Sequence, residues 1–321
     1  MNAYIGVDTS CYTTSVACVD ETGIVSDLRK VLSVKQGERG LRQSDGLFQH
    51  IRSLETLMPQ LLHSIPARGV RAVCVSVRPR PDESSYMPVF LAGKMCAAAV
   101  AAALDVPLFT ASHQEGHLRA ALHGNEELIG QPFLGMHISG GTTEAFLVDQ
   151  SLGISLLSGT EDLHAGQFVD RVGVAMGMHF PCGKQMEVLA SEVHAKRSFP
   201  KLPAIVHGGM CSFSGVETQA QTLIKGGADY AELAYAVYDC MARTFQKMLL
   251  YAMEKTGVTR ALLAGGVASS PLLRSMLRER MEKRAKGVAL FFGESALSSD
   301  NAVGNALICR DLAGLPKKVG T

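Results

Sequence analysis

The stretch Phe133-Leu134-Gly135-Met136-His137-Ile138-Ser139-Gly140-Gly141-Thr142-Thr143-Glu144-Ala145-Phe146-Leu147-Val148 decides the fold. An apolar run enters a turn of small residues, a second run leaves it, and a third follows at residues 154–157. That pattern reads as strand, tight hairpin, strand, strand. The N-terminal segment is built alike. A strand at residues 4–7 meets the polar turn Asp8-Thr9-Ser10, a second strand follows at 15–19, and a third apolar stretch lies near 31–34.

Each triplet leads into helix and strand. Helical periodicity covers residues 45–62, a strand 72–77, a helix 88–104 and a strand 107–110. In the second half, residues 163–176 and 230–255 read as helices and 260–263 as a strand. A helix at 270–286, a strand at 288–292 and a closing helix at 300–312 complete the chain. The recurring order predicts an α/β protein of two similar lobes with a cleft between them. The lobes are expected over residues 1–112 with about 294–321, and over 113–293 including inserted helices.

The 321 residues suffice for two domains of ordinary size, and 47% hydrophobic with 19% charged residues describes a chain with a sizeable core. A formal net charge of +1 gives no global field toward nucleic acid or membrane, so any such contact needs a local patch. The eight cysteines, among them Cys11, Cys18 and Cys74, form no C-x-x-C pair. They read as small buried hydrophobes in a reducing compartment. The chain opens directly into a strand, and its most apolar stretch, residues 95–104, is too short to span a bilayer. A cytoplasmic protein, with no membrane partner, is expected.

The turns Asp8-Thr9-Ser10 and Ser139-Gly140-Gly141-Thr142-Thr143 occupy equivalent places in the two halves. Small residues at a hairpin tip let backbone N–H groups approach phosphate oxygens. A third turn, Leu263-Ala264-Gly265-Gly266-Val267, ends a strand before a helix and suits a flat ligand such as adenine. Each alone also reads as an ordinary glycine turn; their conjunction favours a nucleotide. Neither Walker nor Rossmann spacing is present.

His113-Gln114-Glu115-Gly116-His117 follows the strand ending near Thr110. On a helix, residues i and i+4 share a face, and two imidazoles there can share one divalent ion. The place where a zincin carries its glutamate holds Gln114, and Glu115 points ~200° away from His113 at ~100° per residue, so protease chemistry is disfavoured. Two surface histidines on one face is the competing reading. Asp300, in Ser298-Ser299-Asp300-Asn301, is the best third ligand, although aspartate at a helix start is commonly an N-cap.

Taken together, Thr9-Ser10-Cys11, His113-Gln114-Glu115-Gly116-His117, Ser139-Gly140-Gly141-Thr142-Thr143, Ala165-Gly166-Gln167-Phe168-Val169-Asp170, Ser212-Phe213-Ser214-Gly215, Ala264-Gly265-Gly266-Val267 and Asp300-Asn301 resemble the TsaD family. These are threonylcarbamoyl transferases, formerly described as glycoproteases. The resemblance spans nearly the whole chain. It implies the fold of actin, sugar kinases and chaperone ATPases. It also implies transfer of threonylcarbamoyl from threonylcarbamoyl-AMP to N6 of adenosine 37 in tRNA. Carried over by residue, it implies His113, His117 and Asp300 as ligands of one divalent metal, iron or alternatively zinc. The turn His137-Ile138-Ser139-Gly140-Gly141 would contact the adenylate, Asp170 the ribose, and Gly183, Gly265, Gly266 and Ser270 the nucleoside. Partners implied are tRNA, TsaB-like and TsaE-like proteins, or a second copy of the chain.

Departures mark a divergent paralogue. The family's acidic pair after the first Ser-Cys is Tyr12-Thr13 here, leaving the catalytic residues unassigned. Its Gly-Pro-Gly loop is Val77-Arg78-Pro79-Arg80-Pro81, where the arginines suit a carboxylate or phosphate as well as solvent. Its asparagine at the adenine turn is Ser270. His137 matches a place where some archaeal relatives carry a metal-binding tyrosine, which makes it a hypothetical fourth ligand, against the plainer reading of a strand-end histidine bonded to backbone. The cations Arg274, Arg278, Arg280, Lys283, Arg284 and Lys286, mixed with Glu279 and Glu282, read as a salt-bridged helix face. Three functions compete: the tRNA transferase, a paralogue serving another acceptor through the same metal and nucleotide pocket, and a non-catalytic subunit. The two-histidine motif argues against the last.

Overall fold

Each of the two apolar hairpins seeds one sheet. The computed structural model describes residues 2–10, 12–34, 41–82, 84–193, 199–285 and 287–314; Cys11 and Lys286, both named above, lie outside them. The first half runs β1 (Ala3–Thr9), β2 (Thr13–Val19), β3 (Ile24–Val31), α1 (Gln43–Ser64), β4 (Val70–Arg78), α2 (Phe90–Leu104), β5 (Leu108–Ser112) and α3 (His113–Ala121). Then come β6 (Phe133–Ile138), β7 (Thr143–Val148), β8 (Ile154–Ser158), α4 (Ala165–Ala175), α5 (Gly183–Ser191), β9 (Ile205–His207) and β10 (Met210–Ser212). The chain continues through α6 (Ser214–Lys225), α7 (Tyr230–Thr256), β11 (Arg260–Ala264), α8 (Pro271–Arg284) and β12 (Ala289–Phe292), and closes with α9 (Val303–Gly314).

Two compact units result: Met1–Ala121 with Ser299–Thr321, and Leu122–Ser298. The break expected before His113 falls instead after Ala121, because α3 packs on α9 and β4 of the first unit. Strand order in the first unit is β3-β2-β1-β4-β5, with β1–β2 and β2–β3 antiparallel and β1–β4 and β4–β5 parallel. In the second it is β12-β11-β6-β7-β8, again a meander of three strands joined to two parallel ones. The repeated element order is therefore a repeated topology.

Alternation along β1 divides the first unit's side chains. Ile5 and Val7 join a core with Leu54, Leu57, Met58 and Leu61 of α1 and Ala92, Ala97 and Ala101 of α2. Gly6 faces the other way, where a Cβ would lie 2.1 Å from Ala302 O and 2.5 Å from Ala306 N. Only glycine lets the entry of α9 lie this close. The same alternation turns Asp8 toward the α9 side. The second unit is built on α7, whose buried Leu233, Val237, Met241, Phe245 and Met248 meet α4, β6 and β11 in one core.

Two expectations need correction. The third strand is Ile24–Val31, not residues 31–34. As a sheet edge it is half exposed throughout, so Ser26, Asp27, Arg29 and Lys30 hide its apolar signal. Inserted helices were expected in the second lobe without positions, and the hairpin β9–β10 was not expected: its strands are three residues each, and the helices α5 and α6 are short.

Candidate metal centre and nucleotide turns

The end of β5 delivers α3 directly, so that His113 opens the helix and His117 lies one turn on. A side chain at Gly116 would meet Asn305 Oδ1 at 2.7 Å, and one at Gly304 would meet Gly116 O at 1.8 Å. These two glycines let α3 and α9 approach backbone to backbone, and the approach carries Asp300 to the histidines. The Val303 N–H goes to Asn301 Oδ1 at 3.0 Å, so Asn301 takes the capping role that Asp300 was also read for.

His113 Nε2 lies 3.0 Å from His117 Nε2. Asp300 Oδ1 is 3.3 Å from His117 Nε2 and 3.7 Å from His113 Nε2. Two bonds of ~2.1 Å at right angles hold their donors ~3.0 Å apart, so the imidazole pair has the spacing of adjacent ligands on one cation. Two neutral nitrogens and one carboxylate suit a borderline divalent ion and leave positions open. Among the described residues, this is the group of three or more such side chains close enough to hold a metal.

The electrostatics bind the cluster together. Burial works against a charged His113, but the charge and hydrogen bond of Asp8 and the charge of Asp300 outweigh it, pushing its pKa up to about 9. Burial would raise Asp300; the His117 hydrogen bond and the charges of both histidines instead hold it well below the carboxylate range. Burial would likewise raise Asp8, which His113 and Ser76 hold low. Asp8 was read only as part of a phosphate turn. The structure places it behind His113, with His113 Nδ1 3.1 Å from its Oδ1.

Apart from the Asp8-Thr9-Ser10 turn of the first unit, the nucleotide candidates fall in the second unit. Ser139 N–H bonds Thr142 O at 2.8 Å to close the turn, and Gly166 N–H bonds Ser139 O at 3.1 Å. A Cβ at Gly166 would lie 2.7 Å from Gly140 Cα, so the start of α4 sits against the turn. Gly265, at φ +103, has the space of a Cβ filled by Ile138 O at 2.4 Å and the His137 ring at 2.7 Å. Val267 N–H bonds Ile138 O at 3.0 Å. Thus His137, Ile138, Ser139, Gly140, Gly265 and Gly266 form one neighbourhood. Gly140, Gly141, Gly183 and Gly266 each face open space.

Asp170 Oδ1 accepts the Cys182 N–H at 2.7 Å, and burial raises its pKa against that bond. This ties Asp170 to Gly183, whose carbonyl accepts the Tyr238 hydroxyl at 3.0 Å. Ser270 is committed elsewhere: its hydroxyl accepts Leu273 N–H at 3.2 Å and bonds Glu187 Oε1 at 2.6 Å, capping α8. Glu187, which also accepts Leu272 N–H at 2.9 Å, was not singled out because its role depends on α5, an element without a clear sequence signal. His137 belongs to the second unit and the cluster of His113, His117 and Asp300 to the first.

In the first unit, Tyr12 is exposed and Thr13 buried at the head of β2. Arg78 closes β4 opposite Ser112, with its Nε buried and without a partner among the described residues.

The comparisons with known proteins agree with this layout. A (R)-2-hydroxyglutaryl-CoA dehydratase component A from Acidaminococcus fermentans superposes with a TM-score of 0.58 at 12% identity, over 98% of this chain and 100% of that one. A ROK family glucokinase from Streptomyces griseus superposes with a TM-score of 0.56 at 11% identity, over 97% of this chain and 100% of that one. The fold is the actin-like, sugar-kinase type. A tRNA N6-adenosine threonylcarbamoyltransferase from Thermus thermophilus is 30% identical over 304 residues, 94% of this chain and 90% of the relative. The family model for TsaD, tRNA N6-adenosine threonylcarbamoyltransferase, matches residues 49–307. With that match spanning both units and both histidines and Asp300, the chain belongs to the TsaD family.

Proposed function

We propose that the chain is a metal-dependent threonylcarbamoyl transferase, moving the group from threonylcarbamoyl-AMP to N6 of adenosine 37 in tRNA. The observation that carries this reading is the convergence of His113, His117 and Asp300 within bonding range of one cation, in a chain of this family. These three side chains would hold iron, or zinc. A bound cation supplies Lewis acidity and a template for carbamoyl and phosphate oxygens.

The remaining work falls to the second unit. The tip of the Ser139-Gly140-Gly141 turn would meet the phosphate at Gly140 and Gly141, whose open faces admit close approach, while the Ser139 N–H closes the turn on Thr142 O. The turn at Gly265 and Gly266 would take the adenine face, with His137 and Ile138 bracing it. Asp170 would offer Oδ2 to a ribose hydroxyl, while the bond of its Oδ1 to Cys182 would keep Gly183 beside it. Ser270 serves indirectly, by fixing where α8 begins. The setting would be cytoplasmic, with TsaB-like and TsaE-like proteins as partners, and no helix among the described residues is long and apolar enough to cross a membrane.

The test is mass spectrometry of nucleosides from tRNA incubated with metallated protein, its partners and threonylcarbamoyl-AMP. Threonylcarbamoyladenosine should form, and chelation should abolish it. No product from metallated protein would overturn the proposal. Tyr12, Thr13 and Arg78, whose buried Nε has no hydrogen-bond partner among the described residues, favour a second reading, transfer to a different, anionic acceptor. An adenylate that co-purifies with protein devoid of tRNA affinity would support it.

A further inference from the structure

We propose that Asp8, held by Ser76 and Asn305, is a positioning residue that fixes the His113 ring with Nε2 facing the metal cluster. The inference rests on the metal reading above, and the observations for it lie behind that cluster. Asp8 is 1% exposed, Ser76 0% and Asn305 1%, so none of the three is a surface group.

The hydrogen bonds run in one direction. Asn305 Nδ2 donates to Val7 O at 2.7 Å and to Ser76 Oγ at 3.0 Å, which places both amide protons and orients the side chain. With its oxygen accepting from Asn305, Ser76 turns its own proton to Asp8 Oδ1. The same Oδ1 faces His113 Nδ1 at 3.1 Å, and Asp8 Oδ2 accepts the Ser10 N–H at 3.3 Å. Both carboxylate oxygens are thus engaged by protein groups. That arrangement makes Asp8 the partner of a ligand rather than a ligand. A carboxylate that accepts from Nδ1–H leaves the Nε2 lone pair for the cation and makes it more basic.

Three elements meet to build this support: β1 supplies Asp8, β4 supplies Ser76 and α9 supplies Asn305. Asn305 Oδ1 lies at the space a Gly116 side chain would take, so the relay is also wedged against α3 between the two histidines. The support therefore sets the height of α3 as well as the ring's rotation.

The experiment is a Co2+ titration against a chromophoric chelator, on the full chain and on D8A, D8N, S76A and H117A variants. Carboxylate partners of a metal-bound imidazole are worth ~10–100-fold in metal affinity, and D8A and D8N should each lose that much. Asparagine keeps the shape but can offer Nδ1 a donor, which would move the imidazole proton to Nε2. S76A, which leaves Asp8 in place but unbraced, should lose less, and it carries the test if the Asp8 variants do not fold. A second measurement reads His113 without metal: an imidazole Nδ1 proton slow to exchange by NMR in the parent and lost in D8A. Co2+ affinity within twofold of the parent in a folded Asp8 variant, or a slow Nδ1 proton that persists in D8A, would overturn the proposal. If the parent binds Co2+ no better than H117A, the metal reading itself fails, and the NMR measurement still decides the role of Asp8.

Discussion

A single carboxylate holds the Ser212-Phe213-Ser214-Gly215 motif in place. Asp162 accepts N–H bonds from Leu163 at 2.5 Å, Phe213 at 2.8 Å and Ser214 at 3.1 Å, with hydroxyls of Ser212 and Ser214 each at 2.5 Å. Burial would raise its pKa, but the Ser212 and Ser214 hydroxyls and the Phe213 and Leu163 N–H groups hold it far below its ordinary value of 3.8. A carboxyl depressed on folding contributes stability that is present above the unfolded pKa and lost as pH falls through the folded one. Asp162→Ala should therefore lower the melting temperature at pH 7 by about 2–4 °C or more. The difference from the parent should shrink as pH falls below 3.8, since the parent then loses the same contribution. Melts at pH 7, 5 and 3 check this; a difference that stays constant would assign the effect to packing. The motif was visible in the sequence. Its partner was not, because nothing near Asp162 in the chain announces a contact some fifty residues away.

At the scale of elements, the site depends on how closely α3 lies to α9. Gly304 would place a Cβ 1.8 Å from Gly116 O and 3.0 Å from Gly116 Cα, backbone atoms that cannot rotate away. Gly304→Ala should force the helices apart, cost about 3 kcal/mol or more in stability, and remove Asp300 from the histidines. Chemical denaturation reads the first effect and metal affinity the second. Unchanged metal affinity would mean that Asp300 reaches the cluster independently of that packing. That His113 and His117 would share a face was legible from their spacing, on the condition that the stretch is helical, which α3 meets. That α3 belongs to the first unit was not. Its membership follows from contacts with β4 and α9, the latter arriving only after the whole second unit has been made.

For the molecule as a whole, a net charge of +1 means that the tRNA contact proposed above would need a local patch, and the basic face of α8 is a poor one. Arg274 donates to Ala268 O and Gly293 O, both at 2.7 Å, and stacks on Phe292 at 5.0 Å. Arg278 stacks on the same ring at 4.7 Å, Arg280 pairs with Asp239, and Lys283 pairs with Glu279. The three arginines tie α8 to the rest of the second unit, while the Lys283 pair is an exposed one within α8. Arg274→Ala should lower stability by about 2–3 kcal/mol through its lost carbonyl contacts, while the salt dependence of tRNA binding stays unchanged. A slope reduced by about one in a plot of log affinity against log salt would instead make Arg274 a phosphate contact.

Local order was largely readable in advance: the two hairpins, the i, i+4 spacing of His113 and His117, and the glycine turns follow from period and composition, which are properties of neighbours along the chain. The identical strand order of the two sheets follows from the repeat of that local order. Period could not place the edge strand β3, whose alternation is diluted by solvent-facing charges. Nor could it single out Asp8 as the partner of His113, 105 residues away, or Asn305 as the anchor of Ser76, 229 residues away. Buried polar groups find partners wherever the fold brings a donor to an acceptor, and only the packing of β1, β4, α3 and α9 chooses which.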